Sequence, residues 1–74
     1  MKEFFPHITI DPDVQFGQPV IANTRVPVAV VVGHLAAGDT TEEVAREFDL
    51  TREDVLAALK YASKIVGEES VMIR

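Results

Sequence analysis

Thr40-x-x-Glu43 and Thr51-x-x-Asp54 are two copies of one helix-start signal, set close together. In each, the threonine hydroxyl can accept the backbone N–H three residues on, while the acid reaches back to the threonine N–H. Two such starts leave room between them for one short helix ending near Phe48 and a tight turn through Asp49 and Leu50. The spacing therefore predicts two helices joined at close quarters, the outline of a helix-turn-helix. Val44, Ala45 and Phe48 give the first of them an apolar stripe, Leu50 plugs the turn, and Val55 and Ala58 face back from the second. The second helix is expected from about Arg52 to Val66, with Gly67 ending it. Val55, Leu59, Ala62 and Val66 share one face of it. Leu56 widens that face on one side, and Ala58, Tyr61 and Ile65 on the other. The arc exceeds what one packing surface needs. Two readings stay open: a hairpin formed by the residues upstream covers the excess, or Ala58, Tyr61 and Ile65 form a dimer interface.

Upstream, "PHITIDPDV" alternates, is β-branched at Ile8, Thr9 and Ile10, and ends in an Asp-Pro-Asp turn. "PVIANT" is a second extended run, with Gly17 before it to supply a positive φ. The two form a β-hairpin, which is barely stable alone and must lie on something. "VPVAVVVGHLAAG" is ambiguous. Its valines favour a strand, but its length, Pro27 at the first helical position and Gly38 just past the end favour a helix. Read as a helix, it is apolar nearly all round and so belongs in the centre of the fold. His34 within it reads as a half-buried core histidine. The expected fold is mainly α: one domain, with a hairpin arm over residues 7–26, three helices over 27–67 and a tail over 68–74.

With 74 residues and no cysteine, the core is modest and has no disulfide to support it. His7 and His34 are far apart and unclustered, so no metal site and no cofactor are implied. Association, most simply as a homodimer, is the remaining route to stability. No nucleophile–base set or phosphate-cradling glycine loop is present, so the chain is not expected to be an enzyme. No signal peptide and no apolar run of membrane-spanning length are visible, which gives the expectation of a cytoplasmic protein without membrane contact.

The net charge of −5 works against strong non-specific binding to phosphate backbones. A DNA contact would have to come from position. On the second helix of the pair, Thr51, Arg52, Lys60 and Lys64 point outward, beside Glu53 and Ala57. Arg52 suits a base edge or a phosphate, and the two lysines suit phosphates. With seven Lys and Arg in all, a single chain can hold DNA only weakly. The tail offers a different surface. Glu68 and Glu69 cap nothing, and Val71 and Ile73 belong to an apolar strand that could pair with a partner's sheet edge.

One stretch carries a fairly specific pattern: Ile10-Asp11-Pro12, then Gly17-Gln18-Pro19-Val20-Ile21, then Thr24-Arg25-Val26-Pro27-Val28, then Gly38 and the helical pair. It resembles the small bacterial and archaeal family called domain of unknown function 433, over about residues 7–66. The resemblance implies a homeodomain-like three-helix fold behind a β-hairpin. It also implies an antitoxin role in a type II toxin–antitoxin pair, with a small PIN-type nuclease as protein partner, and it brings no catalytic residue. The chain departs from the pattern at Asn23, where the family usually has glycine, and at Phe16, where a second glycine is common. Asn tolerates φ > 0 better than most residues, so Gly17, Pro19, Asn23, Thr24 and Pro27 read as the turn framework. Arg25 bonds the turn backbone, pairs with Asp11 or reaches a partner. Two functions follow as expectations: an antitoxin that also binds DNA weakly as an autoregulator, or a protein-interaction module that keeps only the helix-turn-helix shape.

Overall fold

The computed structural model describes residues 4–73, and side chains as far as Glu68. Strand β1 (Ile8–Thr9) runs antiparallel to β2 (Val20–Ile21), with Ile8 opposite Ile21 and Thr9 opposite Val20. All four residues are buried. The connection opens with an Asp turn, in which Asp13 N–H donates to Asp11 Oδ1 at 2.9 Å. β2 is held on its other side too. Ile21 N–H donates to the Val26 carbonyl at 2.9 Å, and Val20 bridges to Pro27. The expected hairpin is therefore present, and the Asn23 turn folds the next segment back along its second strand.

Helix α1 (Val28–Ala36) starts from Pro27, which takes the extended conformation just before the first turn rather than the first helical position. It ends as its glycine predicts. Gly38 has φ +107°, its N–H donates to the Leu35 carbonyl at 3.1 Å, and Asp39 N–H donates to that of His34 at 3.1 Å. These two bonds close a Schellman motif. Helix α2 (Thr41–Phe48) carries the expected capping box, with Glu43 N–H on Thr40 Oγ1 at 3.0 Å and Thr40 N–H on Glu43 Oε1 at 2.8 Å. Asp49 ends it in the left-handed conformation (φ 56°, ψ 48°). A residue with a short polar side chain meets that requirement at little cost. Helix α3 (Arg52–Ile73) begins with the second box: Thr51 N–H on Asp54 Oδ2 at 3.1 Å and Asp54 N–H on Thr51 Oγ1 at 3.0 Å.

The three helices and the arm close on one core. Val31, Val44 and Val55 are fully buried at its centre, with Leu50 in the turn. Ile8 and Ile21 bring the arm into the same cluster. Phe5 meets Tyr61 edge-on at 5.5 Å between ring centroids, which seats the arm on α3.

Three expectations need correction. Helix α1 is not a central rod: Val28 and Val31 are buried, but Ala29, Val30, Gly33 and Ala36 are exposed. In a domain this small only one side of it finds a neighbour. On α3 the buried arc is Val55, Ala57, Ala58 and Tyr61, while Leu59 and Val66 are exposed. The arm covers the Tyr61 flank, and helical periodicity alone could not place it there. Finally, Gly67 does not stop α3, which continues as helix to Ile73, so the tail is not a strand. A glycine stop requires a chain that turns back on the body, whereas a glycine in mid-helix costs only about 1 kcal/mol. A Cβ at Gly67 would meet nothing within 4 Å. Gly67→Ala should accordingly raise stability by about 0.5–1 kcal/mol, read as a higher urea midpoint with an unchanged slope.

Candidate functional site

The cationic residues singled out on α3 do not form one patch. Thr51, Arg52, Lys60 and Lys64 are all exposed, but each sits in a different setting. Thr51 is committed to the helix cap. Arg52 borders the hollow at the start of α2 and α3, beside Glu42, Arg46 and Asp49. Glu42 is held below the usual carboxylate range by its own backbone N–H first, then by the Thr41 hydroxyl, with help from the Arg52 and Arg46 charges. Lys64 donates to Glu68 Oε2 at 2.7 Å, and that carboxylate holds the ammonium above its ordinary value. Lys60 belongs to a separate hollow, about 300 Å³, between α3 and the arm, whose walls include Pro6, His7, Glu53 and Leu56.

His7 ties that second hollow together. Its Nδ1 lies 2.8 Å from Asp54 Oδ1, so one carboxylate both caps α3 and holds the arm. Burial pushes the Asp54 carboxyl up, but hydrogen bonds from the Thr51 backbone and from His7 outweigh it, leaving the group below its ordinary value.

The motif turn is well determined. Asn23 has φ 65°. Thr24 Oγ1 donates to the Ile21 carbonyl at 2.7 Å and accepts from Val26 N–H at 3.0 Å. Arg25 enters this network through its backbone carbonyl, which accepts from Gln15 Nε2 at 3.1 Å. Among the described residues its guanidinium has no ion-pair partner, so of the three readings open for it the pairing with Asp11 is not made. Gln15, Phe16 and Gly17 form a short left-handed turn, with φ of 50°, 59° and 82°. For the two that are not glycine, that conformation costs roughly 1–2 kcal/mol each. Phe16 is 97% exposed. A strained turn that carries an aromatic ring into solvent does nothing for the packing of this domain.

Sequence reasoning missed the groove beside that turn. It lies between α1 and α3, about 410 Å³, and its lining is apolar except for Gln18. The small residues Ala29 and Gly33 on α1 and Ala62 on α3 leave it open. Their spacing in the sequence was the available signal. Of the residues expected at a dimer face, Ala58 (0% exposed) and Tyr61 (9%) are spent on the core of the single chain, because the arm and α1 close over them. Ile65 packs against the core and also lines the groove. Among the tail residues, Glu68 is exposed and paired with Lys64, whereas the side chains of Glu69, Val71 and Ile73 lie outside the described residues.

Among the described residues no three His, Cys, Asp or Glu side chains gather as a metal site, and no helix is long and apolar enough to cross a membrane. No curated protein matches the chain. Crystal structures similar to it include two from bacteria. One is a DUF433 member protein from Anabaena variabilis, 34% identical, with a TM-score of 0.76 over 90% of this chain and 67% of that one. The other is Rv2018 from Mycobacterium tuberculosis, 38% identical, with a TM-score of 0.65 over 70% of this chain. The match spans only 24% of the Mycobacterium tuberculosis chain. The family model for DUF433, a protein of unknown function, matches residues 8–62. That span runs from β1 through the middle of α3, and with it the chain belongs to the DUF433 family.

Proposed function

We propose that this chain is a protein-binding regulator, an antitoxin-type module whose partner is a small basic nuclease-like protein, and that any DNA contact is secondary. One observation carries the reading: the outer face of α3 has no marked excess of cations and is partly apolar. From Arg52 to Glu68 the exposed charges are three cations and two anions, Lys64 is matched by Glu68, and Leu56 stands half-exposed beside Glu53 and Lys60. A phosphate backbone favours an excess of cations. A protein surface favours an apolar centre with charges at its rim. The overall charge of −5 would also speed encounter with a cationic partner.

The second reading, a DNA-binding autoregulator, draws on the α2–turn–α3 geometry and on Arg46 and Arg52 beside the start of α3. One substitution separates the two. Glu53 is exposed and takes no part in the cap. Glu53→Lys should weaken binding to the product of the neighbouring gene at least about tenfold while strengthening DNA binding. Calorimetry and mobility shifts at low salt measure the pair. Tighter protein binding by the variant, or no complex with that product, would sink the first reading. Lys60→Ala should lower the salt slope of any DNA binding by about one, and Lys64→Ala by less, because Glu68 already offsets that charge.

A further inference from the structure

We infer that the groove between α1 and α3 is the socket of a reciprocal homodimer, and that Phe16 of a second copy is its plug. This goes beyond the proposed function and does not depend on it, since it uses a different face of the molecule.

Three observations converge. First, two large apolar side chains at this edge find no cover in the chain itself: Phe16 stands almost fully in solvent, and Val66, which lines the groove, is 59% exposed. Second, plug and socket match in chemistry. Phe16 is 97% exposed, and the groove presents Pro19, Ala29, Val32, Gly33, Ala62 and Val66 with no charged side chain among its lining residues. Two acidic chains can therefore meet there without opposing charges at the contact. At Gly33 a Cβ would find nothing within 4 Å, so the α1 wall has room for a ring. Third, plug and socket are neighbours. Phe16 is two residues from Gln18 and three from Pro19, both of which line the groove. A twofold axis beside that edge carries each Phe16 toward the other copy's groove, so one contact made twice closes the dimer. The left-handed turn at Gln15–Gly17 holds the ring out of its own domain, and backbone strain of this kind persists where it serves binding.

Analytical ultracentrifugation of the full chain across the micromolar range tests the inference with two variants. Phe16→Gly removes the plug and suits the positive φ, so it should fold at least as well as the wild type. Ala29→Glu places a charge in the socket on an exposed position of the first turn of α1, where an acid is favourable. The wild type should be dimeric, and each variant should self-associate at least about a hundredfold more weakly, the scale set by returning two phenyl rings to water. Mixed together, the two variants should form a heterodimer, because one intact plug still meets one intact socket. A monomeric wild type, a dimer that ignores both substitutions, or variants that fail to complement each other would overturn it. Loss of a different protein's binding on Ala29→Glu, with the wild type monomeric, would overturn the dimer and assign the groove to that protein instead.

Discussion

Ile21→Ala should lower the melting temperature by roughly 10–25 °C, which for a chain this short approaches loss of the fold. Ile21 is fully buried, opposite Ile8 in β2, and belongs to the same cluster as Val31, Val44 and Val55. Truncating such a side chain removes its transfer energy and leaves a cavity, together about 2–5 kcal/mol. A domain of this length holds on the order of 4–11 kcal/mol in all. The surroundings have little freedom to collapse, because Ile21 N–H is bonded to Val26 and its carbonyl accepts from both Thr24 N–H and Thr24 Oγ1. Ile10→Ala is the control. Ile10 follows β1 directly but is 36% exposed, and its loss should shift the transition by a few degrees only. Thermal melts followed by circular dichroism compare the two. If they melt alike, the arm is an appendage to the helices and not part of their core.

That the arm belongs to the core explains where the sequence was legible and where it was not. Local chemistry was legible. Both capping boxes, the Schellman end at Gly38 and the positive φ at Asn23 and Asp49 depend on residues within a few positions of one another. The close pairing of α2 and α3 across a short turn followed from them. Long-range cover was not legible. The apolar arc of α3 covers more than half the wheel, so periodicity could not say which flank the arm would take. The arm took the Tyr61 flank. Tyr61 thereby joined Ala58 in the core, Ala57 moved in from the outward face, and Leu59 and Val66 were left outside. The valines of α1 misled for the same reason. A helix apolar on every side is central only if neighbours exist to surround it, and a domain of three helices has too few.

The candidate site was readable in its residues and not in its arrangement. Arg52, Lys60 and Lys64 are outward, as their phase on the helix requires. Their use depends on neighbours: Glu42 beside Arg52 and the arm beside Lys60, which spacing did not reveal, and Glu68 on Lys64, an i,i+4 pair that the expected helix end at Gly67 concealed. The left-handed turn at Gln15–Gly17 was also hidden. Glycine at 17 marked one positive φ, and the glycine common at position 16 in the family pattern pointed to a second, but nothing marks Gln15 for the same conformation. Strain at such positions is fixed by the bonds at either side, here Gln18 N–H to the Gln15 carbonyl at 3.1 Å and Gln15 Nε2 to the Arg25 carbonyl.

Asp54→Ala should cost about 2 kcal/mol at neutral pH, and much less in acid. The side chain performs two tasks at once. Its Oδ2 accepts the otherwise unpaired Thr51 N–H at the start of α3, and its Oδ1 meets His7 Nδ1 at 2.8 Å. Loss of the capping contact is worth about 1 kcal/mol. Removing a negative charge from the first turn and breaking the tie to the arm add about as much again. The dependence on pH follows from the direction of the shift. Burial raises the carboxyl, the hydrogen bonds from Thr51 and His7 lower it by more, and the net value in the folded chain is depressed. A group whose folded value is depressed contributes stability above its unfolded value, about 3.9 for aspartate. That contribution is lost as the pH falls through the folded value. The wild type should therefore exceed the variant by a constant margin from neutral pH down to about 5, and the margin should shrink below about 4. Asp54→Asn keeps the size of the side chain and one oxygen acceptor, so it should recover part of the capping energy but none of the pH dependence. Urea unfolding of the three proteins at several pH values measures the margin. A gap between wild type and Asp54→Ala that stays unchanged into strong acid would mean that the ionised carboxylate does not hold the arm to α3.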